Sequence, residues 1–392
     1  VSSYVLIVCP FSSGRLYAKE FAKYGYKVLA FIIPEIPNKI KQQLIKEDFE
    51  KIFETEEELM EFTKHNAIKT VVAGSEYGVE KCEELAFKLG LKGNDVTMPD
   101  LRRNKFKMQE ALKNAGLSYI PTSILREGET VEIPESKNGY ILKPCQSSGS
   151  EDVSFAENKR ELIDLIHNIN WKEENVHGVL NKEFLLQPFI EGTEYVVDLV
   201  AFEDGSIKVA SVCEYEKCEA NNSKFVYKSL KVLNPKDYNT LIEYTINASR
   251  ALGFKVGAIH MEIKNKEDPV MIEVGARMHG GVAPNLFQNC YSPSLLEMSV
   301  KSYLGMQCEE ASLKEEGRIV FLISEKCGVF YPNFEELKKL SSYKGNANFI
   351  AEGGNLTKTI DLNTCPGIFW LSNQDSLKLE EDALVIQKAS SF

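Results

Sequence analysis

Apolar positions in the first hundred residues fall in short unbroken runs, and the stretches between them are amphipathic. YVLIVCP (4–10), YKVLAFII (26–33) and KTVVAGS (69–75) are apolar at most positions. Such runs predict strands buried on both faces, as in a parallel sheet. The period changes between them. A turn at Ser12-Ser13-Gly14 leads into a helix to Tyr24, TEEELMEFTKH (55–65) reads as a helix, and Glu76 to Leu89 reads as another, ended by Gly90. This alternation predicts one parallel α/β unit over residues 1–97.

Past residue 100 the pattern turns to α+β. Asn104 can cap a helix over KFKMQEALKNA, closed by Gly116. YIPTSIL, GYILKP (139–144) and VSFA read as strands, with a small polar loop, QSSGS, after the second. Asn158 opens a helix through about Asn170. FLLQPFIEG, TEYVVDLVAFEDG and SIKVASVCEYE predict successive antiparallel strands, with Asp204-Gly205 turning the last pair. A helix from about Pro235 to Leu252 precedes the strand VGAIHMEIKN, a turn at Lys266–Asp268 and the strand PVMIEV. Ser294 to Leu304 is a helix, and a β-rich tail follows with GRIVFLIS and GIFWLS as strands. The polar segment YEKCEANNSKFVYKS (215–229) is expected to line the acceptor side of a site.

Length and charge narrow the picture. A chain of 392 residues is long enough for two or three domains with real cores. A net charge of −11 argues against nucleic acid as the main partner. ATP stays compatible, because phosphate sites are local. The nine cysteines form no Cys-x-x-Cys pair and no zinc spacing, which predicts free thiols in a reducing cytoplasm. The apolar stretch from Tyr4 to Cys9 is too short for a signal peptide or a membrane span, and no later segment approaches 18 apolar residues, so no membrane role is expected. SSGR after the first strand is not the glycine pattern of a dinucleotide site.

The candidate chemistry lies in the hairpin 256–276. Alternation puts Glu262 on the opposite face from Met261 and Ile263, and Glu273 opposite Ile272 and Val274. The two carboxylates can then face each other across neighbouring strands, about 5 Å apart. With a hard cation between them they form a Mg²⁺ site. Taken alone, they read equally well as solvated positions, or as half of a pair with Arg277. Lys143 ends a strand before Gln146 to Ser150, where small residues let backbone N–H groups approach phosphate oxygens. Lys105, at a helix start, is a second phosphate cation or a solvated lysine. Glu194 can take ribose hydroxyls, and Phe189 and Ile190 can flank an adenine. His279 is an anchor for a substrate carboxylate, a proton acceptor or a loop residue. Gly280 and Gly281 offer N–H groups to a substrate carboxylate, or simply make a turn.

In order and spacing, NKFKMQEALKNAG (104–116), YILKPCQSSGS (140–150), FLLQPFIEGTEYVVD (184–198), GAIHMEIK (257–264) and MIEVGARMHGG (271–281) resemble the ATP-grasp superfamily over roughly residues 100–305. The GARMHGG ending is most like the L-amino-acid (dipeptide) ligase type of carboxylate–amine ligase. The resemblance implies a Rossmann-like N-terminal domain (1–97), an ATP-grasp domain (98–305) with a small lid subdomain at about 118–186, and a β-rich C-terminal subdomain (306–392). It implies that Lys105 and Lys143 contact nucleotide phosphates and that Ser147, Ser148, Gly149 and Ser150 close over them. Gln187 to Ile190 would recognise adenine, Glu194 the ribose, Glu262 and Glu273 one or two Mg²⁺ (or Mn²⁺) ions, and Arg277 the γ-phosphate and acyl intermediate. Gln187 stands where a Glu is frequent, and Gly275 where many members carry a metal-binding Asn. The implied activity is ATP-dependent amide formation between a small-molecule carboxylate and an amine, through an acyl phosphate; homodimers are common among such relatives, and the resemblance leaves the oligomeric state open. The alternatives are another ATP-grasp reaction, such as biotin carboxylation or a purine-pathway ligation, and a nucleotide-binding module without turnover.

Overall fold

A computed structural model describes residues 3–145, 153–173 and 180–389. The N-terminal unit is built on four parallel strands, β1 (Tyr4–Val8), β2 (Lys27–Phe31), β3 (Lys51–Phe53) and β4 (Ile68–Ala73), in the order β3-β2-β1-β4. Their apolar runs are buried because helices cover the sheet: α1 (Leu16–Lys23), α2 (Glu56–Thr63) and α3 (Val79–Lys88). Thr55 caps α2 by accepting from the Glu58 N–H. The segment predicted as one helix from Glu76 begins instead as a 3₁₀ turn, Glu76–Gly78. That turn sits at the carboxyl end of β4, where a parallel sheet exposes functional side chains.

Helix α4 (Lys105–Asn114) starts where Asn104 accepts from the Phe106 and Lys107 N–H groups. A small antiparallel sheet follows, ordered β5-β8-β6-β7, from β5 (Ser123–Leu125), β6 (Tyr140–Pro144), β7 (Ser154–Ala156) and β8 (Phe184–Pro188). Helix α5 (Lys159–His167), capped by Asn158, packs on it. The predicted strand YIPTSIL is confined to its last three residues.

The central sheet has eight strands. It takes β9 (Thr193–Ala201), β10 (Ile207–Ala220), β11 (Ser223–Leu233), β12 (Gly257–Asn265), β13 (Pro269–Gly275), β14 (Glu316–Phe321), β15 (Tyr343–Asn348) and β16 (Gly367–Asn373), in the order β13-β12-β9-β10-β11-β14-β16-β15. Strands of the segment 306–392 thus continue the sheet begun at Thr193. Helices α6 (Asn239–Ala251), α7 (Ala283–Cys290), α8 (Leu295–Tyr303) and α9 (Ser376–Ala389) complete the chain. Three of these elements differ from the sequence pattern. The segment 215–229 belongs to a long hairpin whose turn residues, Asn221 and Asn222, both have positive φ. Helices α7 and α9 were not expected. All nine cysteines are free thiols, and no helix among the described residues is long and apolar enough to cross a membrane.

Candidate active site

Strands β12 and β13 set Glu262 directly opposite Glu273, as the alternation predicts. Carboxylates opposed on neighbouring strands repel unless cations stand near. Lys105, the first residue of α4, brings Nζ to 3.2 Å from Glu273 Oε2. His260 brings Nε2 to 3.6 Å from Glu262 Oε1. Burial opposes ionisation of Glu262, but His260, Lys217 and Arg277 outweigh it, and the carboxyl lies below its usual range. Lys143 is buried on β6. Burial pushes its pKa down to about 8, against the pull of Glu273 and with a further push from Lys105.

Two cavities meet at this acid pair. A cleft of about 870 Å³ lies between the small sheet and the central sheet, and a pocket of about 190 Å³ lies on the other side. Lys105, Tyr227, Glu262 and Glu273 line both.

The larger cleft holds Lys143, Gln187, Phe189, Ile190 and Glu194. The Gln187 amide turns to Thr122, with Nε2 donating to Oγ1 at 2.8 Å. The Phe189 N–H donates to the Gly139 carbonyl at 2.8 Å. Phe155, Phe189 and Phe225 form a triangle of rings, with centroids 5.1, 6.1 and 6.2 Å apart. Such a set of aromatic faces suits a planar base. Glu194 is gripped by Lys217 at 2.7 Å and Lys264 at 3.2 Å. Glu191 pairs with Lys266 at 2.6 Å, at the surface. Ser147, Ser148, Gly149 and Ser150 lie outside the described residues.

The segment 215–229, expected on the acceptor side, reaches both cavities: Lys217, Asn221, Ser223, Lys224 and Phe225 line the larger cleft. The hairpin carries its tip over the small sheet, which a polar composition alone does not reveal. Of this segment, only Tyr215 and Tyr227 reach the smaller pocket.

The smaller pocket contains Arg277, His279, Gly280 and Gly281. Arg277 Nε donates to Glu76 Oε2 at 3.0 Å, and Nη1 donates to the Met278 carbonyl at 2.9 Å. Arg103 holds the other oxygen of Glu76. Burial opposes the Glu76 charge, but Arg103 and Arg277 hold its carboxyl down at about 2. Gly275 makes this knot possible: a Cβ there would stand 3.1 Å from Glu76 Oε2 and 3.4 Å from the Arg277 guanidinium. The Gly281 N–H donates to Ser12 Oγ at 3.0 Å.

His279 is buried with both ring nitrogens engaged. Nδ1 donates to Asp198 Oδ2 at 3.0 Å, and Nε2 takes the Tyr215 hydroxyl at 3.2 Å. His260 Nδ1 donates to Asp198 Oδ1 at 2.9 Å, and Ser211 Oγ donates to Oδ2 at 2.6 Å. Burial lowers the His279 pKa despite Asp198, and neighbouring His260 lowers it further. For His260 burial is outweighed by Asp198 and Glu262, and the pKa is raised. The charged form is thus favoured at His260, which bridges two carboxylates, and disfavoured at His279.

Sequence reading does not mark Glu76, Arg103, Asp198 or Phe155, and it places Lys217 and Phe225 only within the segment 215–229. Glu76 had one signal, its place just after the last parallel strand. Asp198 had another, a charged residue inside the apolar run YVVDLVAF.

Comparison with known proteins agrees with this geometry. A family model described as an ATP-grasp domain matches residues 136–285. Dapdiamide A synthase of Enterobacter agglomerans is 26% identical over 388 residues, spanning 93% of this chain and 90% of that protein. Alanine–anticapsin ligase of Bacillus subtilis (strain 168) is 22% identical over 290 residues, spanning 69% and 59% of the two chains. The crystal structure of an L-amino acid ligase from Bacillus licheniformis superposes with a TM-score of 0.77 at 17% identity, covering 98% of this chain and 97% of the other. Residues 136–285 thus match the ATP-grasp domain, the chain is similar to ATP-dependent ligases, and it shares its fold with an L-amino acid ligase.

Proposed function

We propose that the protein joins a small carboxylic acid or amino acid to an amine, consuming ATP and releasing ADP and phosphate. One observation carries the reading: the Glu262–Glu273 pair is a wall common to two cavities. The larger has room and aromatic faces for a nucleotide, and the smaller has an arginine beside the same acids. A phosphoryl group passed between two bound molecules needs this arrangement.

The donor set fits a magnesium ion: two carboxylates side by side, opening onto both cavities. Glu262 and Glu273 would hold it, and when bound it supplies positive charge to the triphosphate. Lys105 and Lys143 bind and orient the phosphates, Phe155, Phe189 and Phe225 flank the base, and Glu194 receives the ribose. Phosphoryl transfer depends on alignment and charge neutralisation more than on covalent help. A substrate carboxylate oxygen beside Arg277 attacks the γ-phosphorus, the bond to the bridging oxygen breaks, and ADP departs. The amine then attacks the acyl carbon and phosphate leaves. Arg277, fixed by Glu76, steadies the oxyanion of that second step. Losing one such preorganised donor costs about 2.7–4 kcal/mol.

The test is ADP release over pairs of amino acids, with the product mass measured. Amide products with stoichiometric ADP support the reading. ATP binding with no amine-dependent ADP would leave a nucleotide-binding module, and bicarbonate-dependent turnover would move the activity to carboxylation.

A further inference from the structure

The smaller pocket has two chemically distinct ends on one sheet face. Strands β12 and β13 supply its acids, and the charged residues Lys105, Arg103, Glu76 and Arg277 stand around them. Across β11, β14 and β16 the floor is hydrocarbon. Leu230 pairs with Ile319 and Phe321 pairs with Ile368 in the strand register, so their side chains share one face. Phe349 and Leu362, both from the segment between β15 and β16, close the rim. Among the described residues, no charged side chain lines this end. An ionic group placed there would lose its hydration without gaining a partner.

We propose that this end selects an apolar side chain: the substrate seated beside Arg277 is an amino acid or short carboxylic acid with a branched-aliphatic, thioether or aromatic side chain. Leu230, Ile319, Phe321 and Ile368 form the floor of the selecting site, and Phe349 and Leu362 form its gate. This rests on the ligase reading for the identity of the pocket, but not for its chemistry. Phe349 is the useful probe, because it lines the pocket while 50% exposed, so its loss leaves the core packed.

The experiment has two arms with the full chain. The first measures ADP release and product mass for leucine, methionine, phenylalanine, glycine, aspartate and lysine in all pairs. The second measures calorimetric binding of each single amino acid in the presence of Mg²⁺ and a non-hydrolysable ATP analogue. The expected result is a kcat/KM for leucine, methionine or phenylalanine roughly 10- to 200-fold above that for glycine, aspartate or lysine. Phe349→Asp and Leu362→Asp should each raise KM for the apolar substrate about tenfold or more, on the same scale of pocket discrimination, and leave KM for ATP unchanged. Turnover that prefers aspartate, lysine or glycine overturns the proposal and leaves the ligase reading intact. So does an apolar preference that neither substitution alters. Apolar binding in the second arm, weakened by Leu362→Asp but with no turnover in the first, sinks the ligase reading and keeps the pocket. Neither binding nor turnover overturns both.

Discussion

Asp198 and the Glu262–Glu273 pair lie on three adjacent strands of one sheet, and they are opposite in kind. Asp198 is fully buried, and its two oxygens accept from His260, His279 and Ser211. Its ligand atoms and those of the two histidines lie within 4.8 Å of one another, close enough to suggest a metal. The two imidazole N–H groups already fill the carboxylate, however, and a cation would have to displace both. Glu262 and Glu273 instead open onto cavities, with Lys105 and His260 standing at 3.2 and 3.6 Å. The first cluster is closed by its own hydrogen bonds, and the second is open to both cavities. Arg102 makes the same point at the edge of the N-terminal unit. It is fully buried, donates to both oxygens of Glu83 at 2.6 and 2.7 Å, and also donates to the Leu252 and Asp95 carbonyls.

The contrast can be broken in four places. Glu83→Gln leaves Arg102 buried without a counter-charge, which should lower stability by about 3–5 kcal/mol. Urea denaturation would show it, and kcat should hold; a large fall in kcat with stability intact would erase the distinction. Glu273→Gln should reverse that pattern, with an unchanged denaturation midpoint and ADP formation reduced by roughly 10²–10³. Full activity in this variant would leave the acid pair without a role. Asp198→Asn acts through His260 and His279, and should weaken Mn²⁺ binding by about 10–100-fold. Electron paramagnetic resonance of the free ion reads this directly, and unchanged affinity would mean that the closed cluster does not position the open one.

The smallest effect is in pH. Burial holds the Lys143 pKa at about 8, so below that the ammonium is charged and available to phosphate. Above it the neutral amine dominates, and the ATP analogue should bind more weakly by at most about tenfold per pH unit. Lys143→Arg keeps its charge throughout this range and should flatten the profile. A profile that falls equally in both proteins would assign the dependence elsewhere.

The sequence made the open cluster legible and hid most of the closed one. Glu262 and Glu273 interrupt alternating strands, and a period of two places them face to face without any tertiary knowledge. Lys105 was found through the Asn104 cap, which is equally local. Glu76 and Arg277 are 201 residues apart, and nothing local in either segment names the other. The Asp198 network joins three strands and a loop, a pairing that only register can reveal. Helix α9 escaped for a different reason. LKLEEDALVIQ offers apolar residues on more than one face, because some pack on β14 and β16 while Leu377, Leu384 and Val385 stay exposed. The hairpin 207–233 was missed at its turn, where Asn-Asn supplies the positive φ that Asp-Gly or Asn-Gly usually signals.

The central claim is that the wall between the two cavities is where the triphosphate ends. A crystal structure with Mn²⁺ and a non-hydrolysable ATP analogue tests it most directly. The account predicts an anomalous peak between Glu262 and Glu273, about 2.1 Å from an oxygen of each, with the terminal phosphate on the side of Arg277. A nucleotide bound away from this wall, or a metal seated on Asp198, His260 and His279 instead, would contradict it.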